Sequence, residues 1–158
     1  PQGLRDGEYR AHLLSRAIPK ARSVTDTSRP AGGFTIALTP IYGVTIPVII
    51  RQGNLKATAG IANGRMEENQ NGQSFAFDLS RTGTRSTYGE IRITKPGADD
   101  PLLVARGIAV YPEIGQRKVS LPLPAEIAEQ MNGPISVEYY EPNNVGGGLI
   151  AKTDMVLK

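Results

Sequence analysis

The sequence predicts an all-β protein. Its 158 residues include twelve prolines and eighteen glycines, which are spread along the chain between short runs of β-branched residues. Such punctuation is typical of many short strands joined by tight turns, and hardly any segment is long enough for an amphipathic helix. The length is enough for one domain of average size, or for one and a half small sandwiches.

The first predicted element is a strand over residues 8–19, followed by a loop over residues 20–33 that contains hardly any apolar side chains. Side chains alternate between the two faces of a strand. One face would carry apolar residues: Tyr9, Ala11 and Leu13. The other would carry mostly charged or basic residues together with one leucine: Glu8, Arg10, His12, Leu14 and Arg16. We therefore expect one apolar face and one basic face.

The second predicted element is a long strand over residues 34–51, which completes a hairpin. Its large apolar side chains occupy even positions and so share one face: Phe34, Ile36, Leu38, Tyr42, Val44, Ile46, Val48 and Ile50. Pro40 and Pro47 cannot donate a ladder hydrogen bond, and Gly43 suits a bulge, which favours an edge position. No lysine between Lys20 and Lys56 blunts this edge. The pattern predicts either a strand that pairs with another chain or an ordinary buried strand.

Seven further strands are predicted after residue 51. They cover residues 55–61, 74–81, 88–94, 102–111, 117–123, 135–141 and 149–157. The spacers carry turn residues, such as Asn63-Gly64 and Asn132-Gly133. Residues 125–131 could make one or two helical turns. Seven short strands in about 100 residues predict a complete immunoglobulin-like sandwich over residues 52–158, which we expect to fold without the hairpin.

Composition argues against several classes of function. The chain has no cysteine and a single histidine, His12, so a thiolate metal site or a histidine-based catalytic triad is not expected. The net charge is +3, and the first 51 residues hold seven Lys/Arg against three Asp/Glu. These charges lack the interleaved aromatic residues of a nucleic-acid platform. We expect no enzyme activity, no metal, no cofactor and no nucleic-acid partner.

Two segments resemble a known family. DGEYRAHLLSRAIP, followed by a loop and then IALTPIYGVTIPVIIRQG, resembles the last two strands of the first domain of PapD-like periplasmic pilus chaperones. The remainder is similar to their second domain, and TIPVII is closer to the archaic, spore-coat-type branch. The resemblance covers the whole chain. It implies that residues 1–51 are the end of a first immunoglobulin-like domain of which about five strands are missing.

The resemblance also implies a function. A first-domain edge strand would donate apolar side chains to an unfinished pilus subunit until an outer-membrane usher accepts the subunit, all in the periplasm. The implied donor side chains are Phe34, Ile36, Leu38, Tyr42 and Val44. Glu8 and Arg51 match an interdomain ion pair whose third, acidic member would fall near Asn144. Pro47 stands where many of these chaperones have a lysine that anchors the subunit's terminal carboxylate.

Without that lysine, Arg10 is the first candidate for the anchor and Arg16 the second. The competing hypothesis is a structural or adhesive immunoglobulin-like module of a surface protein, with the apolar strand buried. Because two strands cannot cover their own apolar surface, we expect the chain to self-associate through residues 34–50 or to bind a fragment that carries the missing strands.

Overall fold

The computed structural model describes residues 3–20, 39–70, 72–143 and 147–157. Within these ranges the chain forms nine strands and one short helix. The elements are β1 (Gly7–Arg16), β2 (Gly43–Gln52), β3 (Ala57–Asn69), β4 (Gly72–Gly83), β5 (Thr87–Thr94), β6 (Leu103–Val110), β7 (Gln116–Pro122), α1 (Ala125–Gln130), β8 (Gly133–Tyr140) and β9 (Leu149–Leu157). The predicted all-β class is confirmed.

The chain divides into two compact units. One consists of Tyr9–Ile50, and the other of Pro1–Glu8 together with Arg51–Lys158. The predicted boundary at residues 51/52 therefore differs at the start of the chain, where residues up to Glu8 group with the larger unit. In the smaller unit β1 pairs with β2 in a two-stranded sheet.

The larger unit contains two antiparallel sheets, with strand orders β3-β4-β7 and β6-β5-β8-β9. Apolar side chains of both sheets meet in one core. Its fully buried members include Phe75, Phe77, Leu79, Ile91, Ile93, Val137 and Tyr139. In β5 and β8 nearly every second residue is buried, as the pleat requires when one sheet face is covered. This arrangement is compatible with a β-sandwich.

The seven predicted strands of the larger unit are all present, but one predicted turn is wrong. Asn63-Gly64 lies inside β3, where the register with β4 shifts between Ala62 and Arg65. Asn63 adopts a positive φ of 56°, which asparagine tolerates better than most residues. Gly64 leaves room for Met155, because a Cβ there would overlap the Met155 sulfur. The Asn-Gly pair therefore makes a bulge, and β3 continues to Asn69.

The predicted helical turns are also present, as α1 from Ala125 to Gln130. The preceding Pro124 fits a helix start, since its missing N–H would have no helical partner there. Its carbonyl accepts hydrogen bonds from Ile127 and Ala128, and both side chains pack against the core. The helix thus covers one margin of the core.

The single long strand predicted over residues 34–51 begins later than expected. Residues 39–42 are not in a strand, and β2 starts at Gly43. A proline at position 40 lacks the N–H that a continuing ladder would use at that residue, which accounts for the late start. Residues 34–38 lie outside the described residues.

Candidate functional site

The hairpin register follows from contacts at its two ends. Near the turn, the Ala17 amide donates to the Tyr42 carbonyl at 2.8 Å. At the base, Arg51 Nε lies 3.1 Å from Glu8 Oε2. The backbone bond sets Ala17 opposite Tyr42, and the side-chain contact between Glu8 and Arg51 agrees with the same antiparallel register. This register decides which side chains share a face.

One face of the hairpin is apolar, as the sequence predicts. In this register Tyr9, Ala11 and Leu13 lie opposite Ile50, Val48 and Ile46, and side chains of opposite residues share a face. The large side chains on this face are exposed: Tyr9 37%, Leu13 60%, Val44 60%, Ile46 52%, Val48 40% and Ile50 55%. Apolar side chains scattered singly on a surface need no explanation, whereas large contiguous apolar patches are typical of interaction surfaces. We call these six residues and Ala11 the apolar face.

The predicted donor residues are only partly described. Phe34, Ile36 and Leu38 lie outside the described residues. Val44 belongs to the apolar face, and Tyr42, at 76% exposed, precedes β2 instead of lying within it. The exposed apolar residues of β2 that the structure describes run from Val44 to Ile50, further along the chain than most of the predicted set.

The two carboxylate-anchor candidates lie on the opposite face. Arg10 is half-buried and Arg16 is exposed. In the register given above, Arg10 lies opposite Ile49 and Arg16 opposite Gly43, with His12 opposite Pro47 between them. The three basic side chains thus share the other face of β1, together with the exposed Leu14 between His12 and Arg16.

The structure brings Glu8 and Arg51 together with a third residue, Ser86. Glu8 Oε2 accepts hydrogen bonds from the Ser86 amide at 2.9 Å and from Ser86 Oγ at 2.7 Å, besides that from Arg51 Nε. The Glu8 side chain is fully buried, whereas the Arg51 side chain is 33% exposed. Burial opposes ionisation of this carboxyl, but the bonds from Ser86 and Arg51 together hold the pKa of Glu8 below its ordinary value.

Sequence reasoning did not find Ser86. It expected an acidic third member near Asn144, which lies outside the described residues. Ser86 stands between Gly83 and Thr87 in the link from β4 to β5, 78 positions from Glu8. A serine in a turn-rich segment carries no signal for such a distant partner, because only the packed fold brings the two residues together.

The larger unit has a charged outer face, which is an alternative candidate for a binding site. An open groove of about 740 Å³ is lined by residues of β5, β8 and β9 and by the loop after β5. Two of its cations have partners: Lys152 Nζ contacts Glu138 Oε1 at 2.9 Å, and the Arg92 guanidinium lies 4.4 Å from the Tyr140 ring centre. These cations have partners already, which argues against an anion-binding role.

Nothing in the described part of the chain groups three or more His, Cys, Asp or Glu side chains in a way that could hold a metal ion. None of the described helices is both long and apolar enough to cross a membrane. Comparison of the chain with protein-family models, curated proteins and solved structures found no match. The exposed hairpin is therefore the surface on which a function can be argued.

Proposed function

We propose that this chain is a periplasmic assembly chaperone that binds pilus subunits by donor-strand complementation and delivers them to an outer-membrane usher. Two grounds support the proposal: the resemblance of two segments of the chain to this family, and the exposure of the hairpin formed by β1 and β2. The observation that carries it is the apolar face, whose members at Leu13, Val44, Ile46 and Ile50 are each at least half exposed.

Covering the apolar face would provide a substantial driving force. Full burial of a large aliphatic side chain contributes roughly 1.5–3 kcal/mol, so covering one that is half exposed contributes about 1 kcal/mol. The five aliphatic members of the face would together supply about 5 kcal/mol, before the entropy of association is subtracted. Ladder hydrogen bonds along the free edge of β2 would add to this, as in other cases of strand addition.

The edge strands of the larger unit differ from β2 in features that prevent pairing with other chains, and this difference supports the proposed donor role of β2. Strand β7 carries Arg117 and Lys118, and Arg117 Nη1 bridges to the Ala109 carbonyl on β6 at 2.8 Å. Strand β6 also bulges at Gly107, which has a φ of 77° and breaks the regular edge. Charges and bulges of this kind keep edge strands from pairing with other chains. Strand β2 has no charged side chain between Val44 and Ile50.

The finer assignments form part of the same proposal. The sheet orders β3-β4-β7 and β6-β5-β8-β9 resemble an immunoglobulin-like sandwich in which the fourth strand has joined the sheet of the third. Glu8 and Arg51 are the proposed counterpart of the family's interdomain ion pair. Arg10 is the proposed anchor for the terminal carboxylate of the subunit, because guanidinium groups bind carboxylates in a bidentate manner.

The test is co-expression of the chain in a bacterial periplasm with the pilus subunit encoded beside its gene. We expect a complex that survives purification, and we expect the double variant Val44→Lys, Ile46→Lys to reduce its yield more than tenfold. Each lysine would place a charge where the subunit must bury apolar surface. Val156→Lys is the matched control, because Val156 is 71% exposed but lies on β9.

Two outcomes would overturn the proposal. One is a complex that forms equally well with the double variant, which would show that the apolar face is not used. The other is a wild-type chain that never retains the subunit and stays monomeric in light scattering. The second outcome would favour the structural or adhesive module, in which the apolar strand is covered from within the same protein.

A further inference from the structure

Among the described residues β2 pairs only with β1, and its other edge, here called the free edge, lacks one hydrogen-bond donor at its centre. In an antiparallel strand the N–H and C=O of one residue point to the same side, and those of the next residue point to the other. The Tyr42 carbonyl accepts from Ala17, so Tyr42 points toward β1. The backbone N–H and C=O groups of even-numbered residues in β2 therefore point toward β1, and those of odd-numbered residues point to the opposite edge. Pro47 is odd-numbered, so its missing N–H falls on the free edge.

This position explains why a proline interrupts neither β2 nor its pairing. The strand runs from Gly43 to Gln52 without a break although Pro47 lies near its middle. Prolines are tolerated in sheets where the absent N–H would have faced solvent. A partner strand on this edge would find donors at Gly43, Thr45, Ile49 and Arg51, with a gap between Thr45 and Ile49.

We propose that Pro47 determines which strand the free edge of β2 accepts, disfavouring a second copy of this chain and favouring a strand of another protein that has no proline at the facing position. The inference rests on the proposed function, because it takes the free edge of β2 as a docking edge.

Two copies of this chain that pair edge to edge bring two prolines into one ladder. In every antiparallel register that overlaps both, each Pro47 fails to donate to the strand opposite, so the dimer loses two hydrogen bonds. In the register that places the two Pro47 residues directly opposite each other, both hydrogen bonds of that residue pair are missing. A strand of another protein meets one proline only and loses one bond.

The expected effects follow from the usual contribution of one hydrogen bond. A net value near 1 kcal/mol corresponds to about fivefold in an association constant. Self-pairing is therefore weakened about 25-fold by the two prolines, whereas pairing with a strand of another protein is weakened about fivefold. Pro47 thus costs the intended partner less than it costs a second copy of the chain.

The experiment measures dimer formation by sedimentation velocity for three pairs of full-length chains: wild type with itself, wild type with Pro47→Ala, and Pro47→Ala with itself. The substitution restores one donor per chain and adds little side-chain volume. Corrected for the statistical factor of the mixed pair, the association constants should rise in the ratio of about 1 to 5 to 25. The mixed pair stands for a partner strand without proline.

Two further variants test whether any change in dimer formation comes from the restored N–H at position 47. Pro47→Thr restores the same donor with a residue that favours strands, and it should give the same order of constants. Pro40→Ala also removes a proline, but at an exposed residue before β2, and should leave dimer formation unchanged. Circular dichroism of each variant checks that the fold is retained.

The outcomes separate this inference from the proposed function. If all three pairs associate equally, or if no dimer of Pro47→Ala forms at any accessible concentration, Pro47 does not control edge pairing and the inference is wrong. The proposed function would still be judged by capture of the pilus subunit. If subunit capture persists and rises about fivefold with Pro47→Ala, both ideas are supported.

Discussion

The network around Glu8 yields a prediction about which partner holds this carboxylate. Ser86 supplies two hydrogen bonds to Glu8 Oε2, at 2.9 Å from its amide and 2.7 Å from its hydroxyl, whereas Arg51 supplies one at 3.1 Å. The ion pair is the feature that the resemblance would single out. We predict that Ser86 nevertheless contributes more to stability than Arg51 does.

The magnitudes follow from burial. A hydrogen bond to a charged group contributes roughly 1.5–3 kcal/mol, and the Ser86 hydroxyl lies in a residue that is 1% exposed. An ion pair with an exposed partner contributes about 0.2–1 kcal/mol, and the Arg51 side chain is 33% exposed. We therefore expect a coupling energy of about 1.5–2 kcal/mol between Glu8 and Ser86, and below about 1 kcal/mol between Glu8 and Arg51.

Double-mutant cycles measure these couplings directly. The variants are Glu8→Ala, Ser86→Ala and Arg51→Met, singly and in pairs, and methionine keeps much of the arginine stem. Urea unfolding should be followed by circular dichroism, since the chain contains no tryptophan. Arg51 Nη2 also lies 3.3 Å from Ser86 Oγ, so the Glu8 and Arg51 cycle should be repeated in the Ser86→Ala background.

The reasoning would be refuted by a coupling between Glu8 and Arg51 that equals or exceeds the coupling between Glu8 and Ser86. That result would mean that charge attraction outweighs the hydrogen bond from the Ser86 hydroxyl, since Ser86→Ala removes the hydroxyl and keeps the amide. A coupling near zero for both pairs would mean that neither partner stabilises the Glu8 carboxylate in the folded chain.

Residues 53–158 expressed alone should still unfold in one cooperative thermal transition, because the core lies in that segment; a broad, non-cooperative melt would contradict this. Gly89→Ala should destabilise the chain by about 1–3 kcal/mol, since its Cβ would overlap the Tyr140 carbonyl oxygen, whereas Gly115→Ala, with open space around it, should have little effect in the same urea assay. Acid should remove the contribution of Glu8: its pKa is lowered by folding, so the stabilisation is complete above the ordinary value of 4.5 and is lost as the pH falls through the folded-state pKa. Glu8→Ala should therefore show a shallower loss of stability below pH 4.5, and an unchanged pH profile would count against the network.

Local sequence determined much of the architecture. Alternation with period two fixed which side chains of β1 and β2 share a face, because successive residues of any strand point to opposite sides. Turn residues located the seven strands of the larger unit, since residues such as Asn132-Gly133 favour the backbone angles of tight turns. The same alternation separates Tyr139 from Tyr140: Tyr139 is fully buried, whereas Tyr140 lies against Arg92.

Tertiary structure decided the features that depend on distant neighbours. Asn63-Gly64 became a bulge instead of a turn because Met155, far along the chain, occupies the space a side chain at Gly64 would need. Ser86 became a partner of Glu8 because folding brings together residues 78 positions apart, which no local pattern records. The sequence shows that Pro47 lacks a donor, but only the bond between Ala17 and Tyr42 shows that the loss falls on the free edge. Local patterns set the direction of each side chain, and long-range packing determines what it meets.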